Sequence, residues 1–202
     1  SYNLKYIELK VWREKMKQKD FAEKLKNAQK FLFLGQNYLA LETGTDPFLL
    51  DILKKYKSND ENQSSYFSMF SSSLFDNKDG AIGWMNNRCE RLSIPDWLKT
   101  LSQVAWNGVY TTAIDTLWYR EFRTDWRTVT PIYDKKYNPP DIRSKTNLHG
   151  TFLFGSIGGD EQHLPPFTRR DWLKKKLESS TILAKLREVI TPLGFLFIEG
   201  YS

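Results

Sequence analysis

The sequence predicts an α/β domain, a Rossmann-like parallel sheet flanked by helices. Three observations carry this. Short, wholly apolar runs such as Phe31-Leu32-Phe33-Leu34, and the later "GFLFIEG", read as strands buried on both faces, as parallel strands are. Between them lie amphipathic or charged stretches of helical period. Strands alternating with helices indicate crossover connections and a parallel sheet.

The elements follow in chain order. Tyr6, Leu9, Trp12 or Arg13, Met16, Phe21 and Leu25 recur at three- to five-residue intervals, so residues 1–29 are expected to be a charged N-terminal helical extension. Residues 30–202 then form the domain proper. The first strand ends at Gly35. Asp46-Pro47 is expected to open a helix running through Lys57, with Asp46 as N-cap and Pro47 in the first turn. Residues 58–80, rich in Ser, Asn, Asp and Gln, read as a loop with a short helix around 65–75. Two short helices are expected at 82–92 and 94–104, the second opened by Pro95. "WNGVYTT" reads as the next strand, and Ile114 to Phe122 as a helix. Residues 129–133 are a third strand, 134–146 a polar loop, and "NLHGTFLFG" a strand interrupted by Gly150. Helices are expected at 168–179 and 180–190, with Thr168 capping the first, before the last apolar strand. That strand ends close to Ser202, so the domain is expected to continue into a longer parent protein.

Composition excludes several functions. A single cysteine, Cys89, excludes an internal disulfide and a four-cysteine zinc module within the chain. No segment has eighteen consecutive apolar residues, so no membrane-spanning helix is expected. No apolar leader region is visible, and a cytoplasmic location is expected. The net charge of +6 suits an anionic partner, although many lysines fall on helices whose faces water would cover. No nucleic-acid motif is present, so nucleic acid is expected only as an indirect partner.

In a parallel sheet, ligands bind beyond the carboxyl ends of the strands. Gly35-Gln36-Asn37, Thr111 to Asp115, His149-Gly150 and Gly200-Tyr201-Ser202 are all expected at or just after a strand end. Gly35 allows a tight turn and close approach of a phosphate, but "GQNYLALETG" is not a complete dinucleotide fingerprint. Asp115 suits either a sugar hydroxyl or the positive end of a helix. His149 is a proton acceptor or a core histidine, and His163 is expected in a solvent-facing loop.

Taken in chain order, these four segments resemble the sirtuin-like superfamily, in its short-motif bacterial branch found in antiphage-defence proteins that consume NAD. The resemblance covers about residues 30–202. It implies that Gly35, with Gln36 and Asn37 in place of the usual Ala-Gly, contacts the phosphates of NAD. Thr111 and Thr112 precede the family's asparagine position, and Asp115 matches its ribose-binding aspartate. His149-Gly150 matches the His-Gly pair, whose histidine is the base or ribose partner. Gly200-Tyr201-Ser202 matches the closing Gly-x-Ser, which receives the adenosine ribose. The implied activity is NAD glycohydrolysis to nicotinamide and ADP-ribose, with NAD as substrate and no metal. The implied setting is a larger defence protein whose other domains or subunits assemble into an oligomer on activation.

One position departs. Ala113 stands where the family carries asparagine, and a methyl group forms no hydrogen bond. Three explanations stand side by side: an inactivating replacement, a role taken over by Asn37, or nucleotide binding without turnover. In the last, the domain is a non-catalytic sensor or scaffold.

Overall fold

The computed structural model describes residues 28–56, 77–133, 146–190 and 194–200, together with Lys26. The expected N-terminal helix, the short helix around 65–75, most of the 134–146 loop, and Tyr201 and Ser202 lie outside the described residues.

Five strands form one sheet: β1 (Gln29–Leu34), β2 (Gly108–Thr111), β3 (Thr128–Ile132), β4 (Asn147–Phe152) and β5 (Gly194–Glu199). Their order is β3-β4-β2-β1-β5, and every pairing is parallel. The fold class is therefore as expected. Strand order reverses at β1, which has β2 on one side and β5 on the other. Leu34 is level with Thr111 on β2 and with Glu199 on β5, so three strands end at one height.

Helix α1 (Pro47–Tyr56) begins where expected, because Asp46 Oδ1 accepts from Phe48 N at 2.8 Å and Leu49 N at 3.0 Å. Helix α2 (Lys78–Arg91) begins four residues before the expected start. Its cap is Asn77, whose Oδ1 accepts from Gly80 N at 2.9 Å. Helices α3 (Asp96–Ser102) and α4 (Leu117–Phe122) are short and pack together. The fourth helix starts three residues later than expected, because residues 112–116 form a loop after β2.

Two further expectations are corrected. Residues 168–190 do not hold two helices but one, α5 (Arg169–Ile190), of 22 residues. Its middle contains Ser179-Ser180, but neither breaks it. Their hydroxyls donate back to Lys176 O and Leu177 O at 2.9 and 2.7 Å, which keeps their polar atoms satisfied within the helix. Thr168 caps the helix as expected, accepting from Asp171 N at 3.1 Å and donating to Asp171 Oδ2 at 2.7 Å. Gly150 does not interrupt its strand. It lies inside β4 because Trp118 fills the space above it. A Cβ at Gly150 would come within 2.4 Å of Trp118 Cη2. Trp118 is wholly buried against Phe122 and Phe152, with ring centroids 5.9 and 5.2 Å away.

Arg127 is 2% exposed and joins two helix ends. It donates to Phe122 O at the end of α4 (3.0 Å), to Ser102 O at the end of α3 (2.5 Å), and to Val104 O (3.0 Å). A guanidinium suits these carbonyls because helix carboxyl ends carry partial negative charge and unpaired acceptors. Among the described residues, no helix is long and apolar enough to cross a membrane.

Replacing Arg127 with methionine keeps the bulk but orphans these carbonyls. A loss of about 2–3 kcal/mol is expected in chemical denaturation. Gly150→Val is expected to cost at least ~2 kcal/mol by displacing Trp118. A red shift in tryptophan fluorescence would accompany it.

Candidate functional site

The site assembles at the carboxyl ends of β2, β1 and β5, from three loops that the strand register brings level. The loop after β1 turns at Gly35 and enters a short 3-10 turn, Tyr38–Ala40. Gly35 N donates to Glu199 O at 2.7 Å, Asn37 N to Gly200 O at 3.2 Å, and Tyr38 N to Gly35 O at 3.2 Å. Gly200 makes this approach possible. Its φ is +68°, and a Cβ there would meet Tyr38 Cα at 2.3 Å and Tyr38 N at 2.4 Å. Gly35 and Gly200 thus meet as the sequence suggested. However, the amides of Gly35, Asn37 and Tyr38 are already donating within the protein. The loop is a closed turn rather than an open amide cradle.

The loop after β2 is bound to β1 in the same way. Thr112 N donates to Leu34 O at 3.1 Å, and so does Thr111 Oγ1 at 2.8 Å. Thr111 Oγ1 also accepts from Ala113 N at 2.9 Å. The Thr111 hydroxyl therefore shapes the loop, which is an adequate reason for a buried strand to end in threonine. Ala113 is 1% exposed and belongs to the hydrophobic core cluster. The side chain at position 113 therefore sits in the core.

Asp115 lies at the centre, wholly buried. Its Oδ1 accepts from Leu117 N at 3.0 Å, opening α4, and from the Tyr38 hydroxyl at 2.5 Å. Tyr38 is also fully buried, and its ring meets Trp97 edge-on at 6.1 Å. The bond joins the loop after β1 to the loop after β2, across 77 residues of sequence. Asp115 Oδ2 and Gln36 Oε1 are buried without a hydrogen-bond partner.

Burial pushes the Asp115 carboxyl up from the ordinary 3.8 to about 7; the Tyr38 bond pulls it down and the charge of Asp46 pushes it up. The Tyr38 phenol is raised by burial first and by the Asp115 charge next. Cys89 lies beside this cluster, its Sγ 3.5 Å from Thr116 Oγ1. Burial, then the Asp115 charge, pushes the Cys89 thiol up to about 11, so it is no nucleophile at neutral pH.

His149 is placed elsewhere. It lies within β4, one register step before the Val109–Gly150 pair, and is therefore level with Gly108 at the amino end of β2. Phe152 ends the strand three residues later, about 10 Å along it. The expectation that His149-Gly150 lies at a strand end is corrected. Gly150 lies under Trp118, and the His149 side chain shares a face with Asn147 and Thr130. Asn147 Nδ2 lies 3.3 Å from His149 Nε2, and Thr130 Oγ1 donates to Asn147 Oδ1 at 2.8 Å. Since the amide nitrogen only donates, Nε2 is the acceptor. Burial lowers the His149 pKa, favouring the neutral ring. His163 lies in a loop as expected and is half-buried there, with Nδ1 2.6 Å from Asp160 Oδ1.

One residue was missed in the sequence. Tyr38 had one signal, a tyrosine inside a buried turn, whose hydroxyl needs a partner. Gln36 was named with the first glycine, but nothing local shows that its carbonyl is buried. Among the described residues, no cluster of three or more His, Cys, Asp or Glu side chains is placed to hold a metal.

No protein-family model matches the chain, and no curated protein matches it.

The buried Asp115 sets a pH dependence. Its folded pKa exceeds its unfolded value, so the folded state keeps a proton that the unfolded chain releases between pH 3.8 and about 7. Stability therefore falls as pH rises through that window, by about 4 kcal/mol in all. Asp115→Asn, which keeps the acceptor for Tyr38 and Leu117 N, is expected to flatten the decline in denaturation curves from pH 4 to 8. An unchanged slope would show that Asp115 is not its source.

Proposed function

We propose that this chain is the NAD-binding domain of a glycohydrolase, cleaving NAD to nicotinamide and ADP-ribose within a larger defence protein. One observation carries the reading: the Gly35 loop, the Thr111–Asp115 segment and Gly200 converge where the strand order reverses. The orphaned acceptors support it too. Asp115 Oδ2 and Gln36 Oε1 need donors, and the hydroxyls of a ribose supply donors. Asp115 would hold the ribose, and Gln36 and Asn37 would lie on the phosphate side.

The reaction breaks the bond between the nicotinamide nitrogen and ribose. Nicotinamide leaves with the bonding pair, water adds to the ribose carbon, and one proton is released. The transition state resembles a ribosyl cation, so placement and charge count more than a strong nucleophile. In this arrangement Asp115, not His149, stands nearest to where a ribose would lie. A fall of the Asp115 pKa on meeting a cationic sugar would leave a carboxylate beside the developing charge.

A second reading is favoured by Ala113. With a core-facing methyl at the family's asparagine position, the domain binds ADP-ribose or a related nucleotide without turnover, as a sensor or oligomerisation module.

Incubation of the protein with NAD, followed by chromatography for nicotinamide, tests both. The first reading expects nicotinamide release. Saturable calorimetric binding of intact NAD without release selects the second reading. Neither binding nor release overturns both.

A further inference from the structure

The carboxyl edge of the sheet has a second half, over β3 and β4, that the nucleotide reading leaves unused. The loop between β4 and α5 holds an imidazole–carboxylate pair there. Asp160 Oδ1 lies 2.6 Å from His163 Nδ1 and accepts from His163 N and Gln162 N at 3.2 and 3.1 Å. The imidazole stacks on Tyr133, with centroids 4.7 Å apart and planes 16° apart, and Tyr133 stacks in turn on Phe152 at 5.3 Å. The loop has no slack. His163 O accepts from Ser156 N at 2.9 Å, and a Cβ at Gly155 would lie 2.5 Å from that oxygen.

This geometry decides the tautomer. In the neutral ring, Nδ1–H donates to the carboxylate and leaves the lone pair on Nε2. Among the described residues Nε2 meets no hydrogen-bond partner, and the side chain is 30% exposed. The ring lines an open cleft of about 460 Å³. The cleft lies between the 161–167 loop, the first half of α5, Lys78 and Tyr133.

Its lining selects a ligand chemistry. Lys78, Lys174 and Lys175 contribute three positive charges, and Glu161, Asp171 and Glu178 three negative ones, so the formal charges cancel. A multiply charged anion would meet carboxylates as often as ammonium groups. A hydroxyl donates and accepts at once, so a ligand with several of them suits both kinds of wall. Pro165, Pro166 and Phe167 add an apolar surface for its carbon face. Lys175 is poised for an oxygen. Its protein hydrogen bond, to Gln162 O, is long at 3.5 Å, and burial lowers its pKa.

We propose that this cleft binds a polyhydroxylated, sugar-like small molecule, one hydroxyl donating to His163 Nε2 and one oxygen accepting from Lys175 Nζ. The site is separate from the Asp115 cluster and does not depend on the nucleotide reading.

The chain has two histidines, so imidazole carbon–proton correlation spectra are simple, and His163→Gln assigns the His163 signal by its loss. D-ribose added across the millimolar range to the unmodified protein is expected to shift the His163 signal saturably and leave the His149 signal in place. Lys175→Met is expected to raise the midpoint by about fivefold or more, as loss of one charged hydrogen bond does. A His163 signal unmoved by D-ribose overturns the proposal. So does a saturable shift with inorganic phosphate alone, which marks an anion site.

Discussion

Strand β1 is hydrogen-bonded along both edges, and the carboxyl edge is organised by what its last residues can still offer. Leu34 O accepts from both Thr112 N and Thr111 Oγ1, while Gly35 N continues the ladder to Glu199 O. Each bond fixes a loop of a neighbouring strand against the turn after β1. Because the three strands end level, the loops have one place to go, and Tyr38, Asp115 and Gly200 are forced together. Leu32 and Leu34 are wholly buried beneath them, so the turn cannot slide without exposing core.

The same packing puts a carboxyl group in a dry place. Burying an ionised carboxylate costs several kcal/mol even after relaxation, and two hydrogen bonds to one oxygen offset only part of this. The balance leaves Asp115 titrating near neutrality, with its second oxygen unpartnered. A buried acid of that kind is costly as pure architecture. It is intelligible if a donor or a positive charge arrives at Oδ2 during function, since that partner recovers the desolvation cost as binding energy. Cys89, by contrast, is simply core: its thiol is pushed away from reactivity by the same burial.

Much of the fold was legible in the residues. Phe31–Leu34 lies inside the sheet and appears as an unbroken, largely buried apolar run, as parallel strands do. Phe195–Ile198 is as apolar and also forms a strand, but β5 is an edge strand and its Leu196 and Ile198 are exposed, against the expectation of burial on both faces. Asp46 and Thr168 announced helix starts because capping is chemistry between neighbours. The errors lie where neighbours in sequence are not neighbours in space. A helix boundary was expected between residues 179 and 180, yet the hydroxyls of Ser179 and Ser180 bond inside one helix. Gly150 looked like an interruption, yet it makes room for Trp118, an indole that arrives from a different element.

The amino-acid sequence by itself determined the α/β class, the helix caps, the absence of an internal disulfide, and the presence of polar residues after apolar strands. These follow from short-range rules of periodicity, capping and composition. Tertiary structure decided which of those polar residues meet. In a parallel sheet the register between strands belongs to neither strand alone. A shift of three residues, about 10 Å, separates a histidine at the carboxyl edge from one at the amino end of its neighbour. Register brought Gly35, Asp115 and Gly200 together and left His149 beside Asn147. It also placed Tyr133 under His163, turning a loop histidine into one half of an ordered pair.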